Sequence, residues 1–431
     1  MHFGFIKDVS MKSGRLIAGL DIGTSKICAI VGEIHSDAMM SSQSSSRGVM
    51  SCAEIIAVGM APSKGIKKGV VTNIEGAMES IRAAIDEVQE IAGVEIHAVH
   101  VGVTGGHISS IPSHGVIAVK EKEIGQREVD QVIDAAKAVA IPFDREILHV
   151  IPVGYAVNGE NGITDPRGMG GVRLETKVQI ITGAAASIQN LIRSCEKTGL
   201  EVMEVVFQPL ASASAVLTQD EKELGVALVD MGGGTTDIVI FHEGNLCHSS
   251  VLPIGGNNFT NDIAVGLRIP TKEAEDIKRR HGCTMISLVK DDDEIEIDRA
   301  GSNTRKAIPR SYLVEIIQPR AEELLGMVKK EISDRGLHRL MNSGVVLTGG
   351  ASLMEGLDVM AENILELPIR IGNPADNGGN RDVSNPAFAA GVGLVYHGAQ
   401  DLLGDHIFEK GGMISGMKNR MRGWIDTLLK G

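Results

Sequence analysis

The sequence has few aromatic residues and no long hydrophobic run. Phe, Tyr and Trp make up 3% of its 431 residues, and there is a single Trp. The core must therefore be built from Ile, Val, Leu, Ala and Met. No apolar stretch approaches the ~18 residues that a membrane-spanning helix needs, so we expect no such span.

Cysteine and positive charge are also scarce. The five cysteines are widely scattered and none forms a C-x-x-C pair, so their spacing indicates neither a disulfide framework nor a zinc site. The net charge of −13 argues against a general nucleic-acid binder, which needs a basic face to neutralise phosphates. The absence of G-x-x-x-x-G-K-[ST] excludes a nucleotide site of the Walker type.

Two distant segments share one unusual pattern. Residues 16–34 read LIAGLDIGTSKICAIVGEI and residues 225–244 read GVALVDMGGGTTDIVIFHEG. Each contains an apolar run, an Asp, a Gly-Thr turn and a second apolar run, which predicts a strand–turn–strand hairpin. Because the two aspartates, Asp21 and Asp230, lie some two hundred residues apart, the spacing favours two homologous halves over a solenoid repeat.

The glycines of these turns suit anion binding, since they let backbone N–H groups approach a phosphate closely. The candidate phosphate ligands are Gly23, Thr24, Ser25, Lys26, Gly232, Gly233, Gly234, Thr235 and Thr236. Asp21 and Asp230 are repelled by phosphate but are suited to holding Mg²⁺ through its waters. The alternative is a pair of ordinary glycine-rich hairpins.

A third glycine element spans residues 344–357, GVVLTGGASLMEGL. It predicts a strand, a Gly-Gly turn and a helix capped by Ser352, with Glu355 three residues further on. Backbone amides at such a helix start suit a phosphate or ribose edge.

The last residues predict a basic amphipathic helix. Between residues 417 and 430 there are four cations and one anion. The apolar stripe consists of Met413, Ile414, Met417, Met421, Trp424, Ile425, Leu428 and Leu429, and Arg420 and Arg422 flank it. We predict that residues 417–431 bind an anionic membrane surface behind a flexible tether, residues 401–416. The alternative is a helix docked on the core.

The motifs together resemble a known superfamily. The segments LDIGTSK, VDMGGGTTDI and VLTGGAS, in that order, resemble the actin/Hsp70/sugar-kinase ATPases. FQPLASASAVLTQDEKELG, LHVIPVGYAV, GVRLETKVQIITG, AEDIKRRHGC and the terminal helix are similar to the FtsA family of bacterial cell-division proteins. The resemblance covers the chain from about Leu16 to Gly431.

The resemblance implies ATP and Mg²⁺ as cofactors and assigns further residues. Gly349, Gly350, Ala351 and Ser352 match the adenosine motif, and Glu275 and Lys278, on a helix over residues 271–281, match its flank. Gln208 matches the position that orients the attacking water, beside Asp21 and Asp230, which implies at most a weak ATPase. The alternative for Gln208 is a plain linker residue between the halves.

The implied fold is α/β and actin-like, with two βββαβα halves around a nucleotide cleft. Residues 14–87 and 166–207 form the first half and residues 88–165 an inserted subdomain. Residues 208–257 and 310–400 form the second half, and residues 258–309 its upper subdomain. Outside this plan, we interpret the acidic run 291–294 as a solvated turn and the Ser-rich run 36–51 as a hairpin tip.

The implied function is a peripheral protein at the cytoplasmic face of the membrane, at the division septum. It would polymerise head to tail, hold the tubulin-like protein FtsZ at the membrane and recruit later divisome proteins. The FtsZ C-terminal peptide would dock on the upper subdomain, near the positive charges of Arg305, Lys306 and Arg310. The alternatives are a pilus-assembly scaffold and a small-molecule kinase of the same superfamily. An Hsp70-like chaperone is disfavoured because too few residues follow residue 398 for a peptide-binding domain.

The membrane assignment predicts that Trp424→Glu releases the protein from vesicles, because it places a charge inside the apolar stripe. Co-sedimentation with anionic liposomes measures the release, with a chain ending at Gly412 as the reference for complete loss. Equal pelleting of the full-length and shortened chains would contradict the assignment.

Overall fold

A computed structural model describes residues 15–34, 53–290, 292–298, 305–375 and 383–409. The predicted membrane helix, the Ser-rich run and residues 410–416 of the predicted tether lie outside these ranges. No helix in the described part of the chain is long and apolar enough to cross a membrane.

The described residues alternate between strands and helices. In chain order the strands are β1 (Arg15–Ile22), β2 (Lys26–Ile34), β3 (Ala53–Pro62), β4 (Ile66–Lys67), β5 (Val70–Val71), β6 (Ala98–Val103), β7 (Ser109–Ala118), β8 (Arg145–Val157), β9 (Glu160–Ile163), β10 (Arg173–Ala184), β11 (Glu201–Phe207), β12 (Val226–Met231), β13 (Thr236–His242), β14 (Asn245–Leu252), β15 (Glu294–Asp298), β16 (Arg305–Pro309), β17 (Val345–Thr348) and β18 (Ile369–Ile371). The α-helices are α1 (Ile74–Ala92), α2 (Gln126–Lys137), α3 (Ala185–Glu196), α4 (Gln208–Val216), α5 (Gln219–Leu224), α6 (Gly256–Leu267), α7 (Thr271–His281), α8 (Arg310–Ser333), α9 (Leu357–Leu365) and α10 (Ala389–Glu409).

Two five-stranded sheets have the same topology. The first has the order β3-β2-β1-β6-β11 and the second β14-β13-β12-β17-β18. In each, the first three strands are antiparallel neighbours and the last two join in parallel. The central strands β1 and β12 are buried through most of their length, as expected for apolar β-branched runs covered on both faces. The predicted pair of related halves and both predicted hairpins are confirmed.

A separate four-stranded sheet, β7-β10-β8-β9, is inserted into the first half. Helix α2 packs on its β7 and β10 strands, and Val132 and Leu174 are fully buried in the small core between them. The predicted insert, residues 88–165, needs correction at both ends. Residue 88 lies inside α1, which packs on the first sheet, whereas β10 pairs with β7 and β8 and completes the inserted sheet.

The upper part of the second half contains α6, α7 and the β15–β16 hairpin. The helix predicted over residues 271–281 is confirmed as α7. Arg310 is held within the chain: it donates to the carbonyl of His281 at 2.9 Å and pairs with Glu355 at 2.5 Å and with Asp293 at 3.4 Å. Its charge is therefore largely neutralised, which weakens its predicted role in docking an acidic peptide. Asp293 of the predicted solvated turn is one of these partners.

Helix α10 follows the second half in sequence but packs on the first sheet. It contacts β1, β2 and β6 and lies along α4, with Leu394, Val395 and Tyr396 buried. The predicted second half, residues 310–400, therefore includes a helix that covers the other sheet. Residues 401–409, predicted as a flexible tether, continue this helix, because the Gly404 within it lowers helix propensity by only about 1 kcal/mol.

Because α10 and α4 are in close contact, we expect one added methyl group between them to lower the stability of the fold substantially. A Cβ at Gly393 would lie 1.8 Å from the carbonyl oxygen of Ala211 in α4. We expect Gly393→Ala to lower the free energy of unfolding by about 1–3 kcal/mol or more, since the two backbones must separate. Urea unfolding measures the change.

Gly326 provides the matched control, because it lies in the exposed face of α8 with no atom within 4 Å of an added Cβ. Gly326→Ala should raise stability by up to about 1 kcal/mol through helix propensity. Similar effects of the two substitutions would contradict the proposed close packing.

Candidate functional site

The turns of the two hairpins face each other. Each is closed by the same backbone hydrogen bond, Gly23 N to Lys26 O at 3.0 Å and Gly232 N to Thr235 O at 2.9 Å. A Cβ at Gly233 would lie 2.0 Å from the Oγ of Ser25, so the turns approach too closely for a side chain at that position. The predicted phosphate turns are therefore brought together between the two halves.

Residue Asn257, at the start of α6, fastens the two turns. Its backbone N–H donates to the carbonyl of Gly233 at 2.7 Å, and its Oδ1 accepts from the Oγ of Ser25 at 2.9 Å. The side chain of Thr24 accepts from the backbone N–H of Gly69 at 3.1 Å. The first turn thus contacts both the second half and its own half's loop.

Three carboxylates lie behind the turns. Asp21 is the second-last residue of β1 and Asp230 the second-last of β12, and strand register sets Asp237 directly opposite Asp230. Asp21 and Asp237 are buried, with 8% and 4% of their surface exposed. Thr104, in the loop after β6, donates to Asp237 at 2.8 Å. Sequence reasoning identified Asp21 and Asp230 but missed Asp237 and Thr104.

The carboxylates hold their protons more tightly than exposed aspartates. Burial raises the pKa of Asp21 to about 6, with Lys26 opposing and Asp230 adding to the shift. Burial also raises the pKa of Asp230, although the hydrogen bond from Ser212 opposes this. The pKa of Asp237 is raised well above its usual range by burial, then by the charges of Asp230 and Asp21. Such a cluster is suited to a cation, which would relieve the repulsion.

Helix α4 contacts the carboxylates of both halves. Gln208, its first residue, is 5% exposed, and its side-chain amide donates to Asp21. Ser212, one turn further on, donates its hydroxyl to Asp230 at 2.5 Å. Gln208 thus lies in the cleft beside Asp21, and its assignment as the residue that orients a water stays a prediction.

The predicted phosphate ligand Lys26 contacts the chain at the start of α10. Its Nζ donates to the carbonyl of Ala387 at 2.7 Å and lies 4.1 Å from the centre of the Phe388 ring. In this structure it therefore joins the first turn to the segment before α10.

The third glycine element adjoins the second carboxylate. Gly349 has a φ of 83°, and a Cβ there would lie 2.4 Å from Asp230 Oδ1. The predicted cap is wrong: residues Gly350–Leu353 form a short 3-10 helix in which Ser352 Oγ donates to the carbonyl of Gly349 at 2.8 Å. Helix α9 begins only after Gly356, whose left-handed backbone redirects the chain.

Glu275 and Lys278 of α7 line the same region. Lys278 Nζ contacts Glu275 at 2.6 Å, Thr260 at 2.8 Å and the carbonyl of Gly256 at 3.0 Å. A Cβ on Gly256 would lie 3.4 Å from that of Ala351. These predicted residues therefore lie next to the third glycine element and the second turn.

The raised pKa of Asp21 predicts a pH-dependent stability in the absence of Mg²⁺ and nucleotide. Between about pH 4 and pH 6 the folded chain holds a proton on Asp21 that the unfolded chain has lost. The free energy of unfolding should therefore fall as pH rises through this window, by up to about 3 kcal/mol. Asp21→Asn, which keeps an oxygen acceptor for Gln208, should flatten the fall and be the more stable chain at pH 7.

Urea unfolding across the window measures this, with Asp86→Asn on the exposed face of α1 as the matched loss of one carboxylate. Parallel profiles for the parent chain and Asp21→Asn would show that this carboxylate carries no such penalty.

Comparisons with known proteins identify the family of the chain. A family profile described as cell division protein FtsA matches residues 227–393, and one described as the SHS2 domain inserted in FtsA matches residues 105–182. The cell division protein FtsA of Pseudomonas aeruginosa is 44% identical over 91% of this chain and 91% of its own length. The FtsA of Escherichia coli K12 is 37% identical, covering 90% of this chain and 91% of its own.

Solved structures show the same fold at low identity. A PilM–PilN type IV pilus biogenesis complex matches with a TM-score of 0.63 and 16% identity, covering 89% of this chain and 98% of that one. MreB5 of Spiroplasma citri, bound to ADP, matches with a TM-score of 0.51 and 16% identity, over 95% and 98% of the two chains. The predicted actin-like α/β fold is confirmed, and the chain belongs to the FtsA family of cell-division proteins.

Proposed function

We propose that this cell-division protein binds ATP with Mg²⁺ between its halves, assembles head to tail, and holds FtsZ at the membrane through residues 417–431. The observation that carries the proposal is the apposition of the two glycine turns in front of Asp230 and the buried carboxylates of Asp21 and Asp237. The nucleotide steps rest on the residues around that cleft, and the membrane step rests on the sequence of residues 417–431.

The cleft contains groups suited to both parts of a magnesium nucleotide: backbone N–H groups for the phosphates and carboxylates for the metal. The turns of residues 23–26 and 232–236 would donate backbone N–H groups to phosphate oxygens, apart from those of Gly23 and Gly232, which close the turns. Asp21 and Asp230 would hold the metal through its waters, a common arrangement for Mg²⁺. When bound, Mg²⁺ supplies positive charge that neutralises phosphate oxygens and the clustered carboxylates.

The adenosine end would lie beside the third glycine element. Gly349–Ser352, Glu275 and Lys278 form one contiguous region next to the second turn. Among proteins of this fold, MreB5 of Spiroplasma citri is bound to ADP. The ion pair of Glu275 with Lys278 is partly buried, so it is fixed enough to position a ligand edge.

Hydrolysis, where it occurs, would be slow. Gln208 has an uncharged amide that can orient a water, but in this structure the amide donates to Asp21. A nucleotide that bridges both halves would chiefly stabilise one relative arrangement of them. Assembly would then multiply single amphipathic anchors, so that filaments hold the membrane more firmly than monomers.

Two single variants test the two parts of the proposal separately. Asp230→Ala should reduce Mg–ATP binding, because it removes one of the carboxylates that hold the metal. Trp424→Glu should leave Mg–ATP binding intact but abolish recruitment of purified FtsZ to anionic vesicles. Equilibrium binding of a fluorescent ATP analogue and vesicle co-sedimentation of FtsZ provide the two readouts.

Undiminished Mg–ATP binding by Asp230→Ala would falsify the nucleotide site. FtsZ that pellets equally with the parent chain and with Trp424→Glu would instead remove the anchoring role, leaving the nucleotide site untouched. Glu79→Gln, on the exposed face of α1, serves as the folded control for both measurements.

A further inference from the structure

A second group of chemistry-bearing side chains lies at the far edge of the first sheet, away from the nucleotide cleft. Strand register places His100 of β6 directly beside Glu204 of β11. On α10, His397 and Asp401 are four residues apart, so they lie on one face of the helix, one turn from each other. Helix α10 packs against β6, and the two pairs therefore meet.

The ligand atoms of three of these side chains are close together. One nitrogen of His100 and one carboxylate oxygen each of Glu204 and Asp401 all lie within 4.8 Å of one another. His100 and Glu204 are partly buried and Asp401 is exposed, so an ion could enter from solvent. Imidazole nitrogen and carboxylate oxygen are both among the ligands that Zn²⁺ takes in proteins.

The surroundings hold these ligands in place. His397 Nε2 lies 2.9 Å from Glu204 Oε2, which resembles the hydrogen bonds that orient metal-bound groups in proteins. The Nε2 of His100 would lie 2.6 Å from a Cβ on Gly398, so its ring lies directly against the backbone of α10. The nearby His149 is not included among the ligands, because its Nε2 accepts a hydrogen bond from the backbone N–H of Phe207 at 2.9 Å.

We propose that His100, Glu204 and Asp401 form a binding site for a divalent transition-metal ion, with Zn²⁺ as the preferred occupant. His397 is a positioning residue that orients Glu204, and water completes the coordination. The site joins two strands of the first sheet to the last described helix. Occupancy would therefore fasten α10, the element that leads to residues 410–431, to the sheet.

Zinc titration of the full-length protein tests the site. The chain is stripped with a chelator, desalted, and titrated with ZnCl₂ against a chromophoric competitor, with excess Mg²⁺ present to occupy the carboxylates of the cleft. We expect one ion per chain. Asp401→Asn, His100→Gln and Glu204→Gln should each weaken binding at least tenfold, and His397→Gln by roughly 10- to 100-fold. Asp401 is exposed, so its variant should fold even if the others do not.

Two control variants locate the ion. His97→Gln removes an exposed histidine of the preceding loop, and Asp230→Asn removes a carboxylate of the cleft; both should bind zinc as the parent chain does. Zinc should also slow hydrogen exchange in residues 395–402 of the parent chain but not of Asp401→Asn. Unchanged affinity in Asp401→Asn and His100→Gln, or a loss confined to Asp230→Asn, would overturn the proposal.

Discussion

The placement of three carboxylates in one cleft, away from solvent, is the constraint on which the rest of this structure depends. Asp21, Asp230 and Asp237 lie where the central strands of both sheets end. Burial raises the pKa of all three, and neighbouring carboxylate charge raises the pKa of Asp21 and Asp237 further. The hydrophobic packing of the strands fixes these positions, so the chain cannot relax by moving the carboxylates apart. A divalent cation or a proton is the remaining way to lower their energy.

Helix α4 connects the carboxylates of the cleft to helix α10. It donates to Asp21 through Gln208 and to Asp230 through Ser212, so it contacts the carboxylates of both halves. Its backbone at Ala211 lies against Gly393 of α10 with no space for a methyl group. A change in the cleft that moves α4 must therefore also move or strain α10, because tightly packed helices do not deform continuously.

The features that the residue pattern predicted correctly are those that depend on residues close together in the sequence. Both hairpins follow from short apolar runs and glycine turns that are neighbours in the sequence, whereas helix α7 is implied by the family resemblance. Asp237 belongs to the VDMGGGTTDI motif, but the motif alone does not identify it as a site residue, because only strand register shows that it faces Asp230. Sequence did not predict the ends of the insert or the placement of α10. Both depend on which sheet a strand pairs with or a helix covers, and hydrophobic periodicity does not show which sheet that is. The supposed cap at Ser352 was wrong because Gly356, not Ser352, directs the chain into α9.

The two candidate metal sites differ in the chemistry of their ligands. The cleft offers carboxylate oxygens, hard ligands that suit Mg²⁺ with its waters, and backbone N–H groups that suit phosphate. The group at the sheet edge adds the imidazole of His100, and nitrogen donors favour Zn²⁺ over Mg²⁺. His100 and Gly102 lie two residues apart on β6, and Gly102 packs against Gln208. Strand β6 thus lies between the two sites. Two ions of different chemistry could therefore affect the positions of α4 and α10 without competing for ligands.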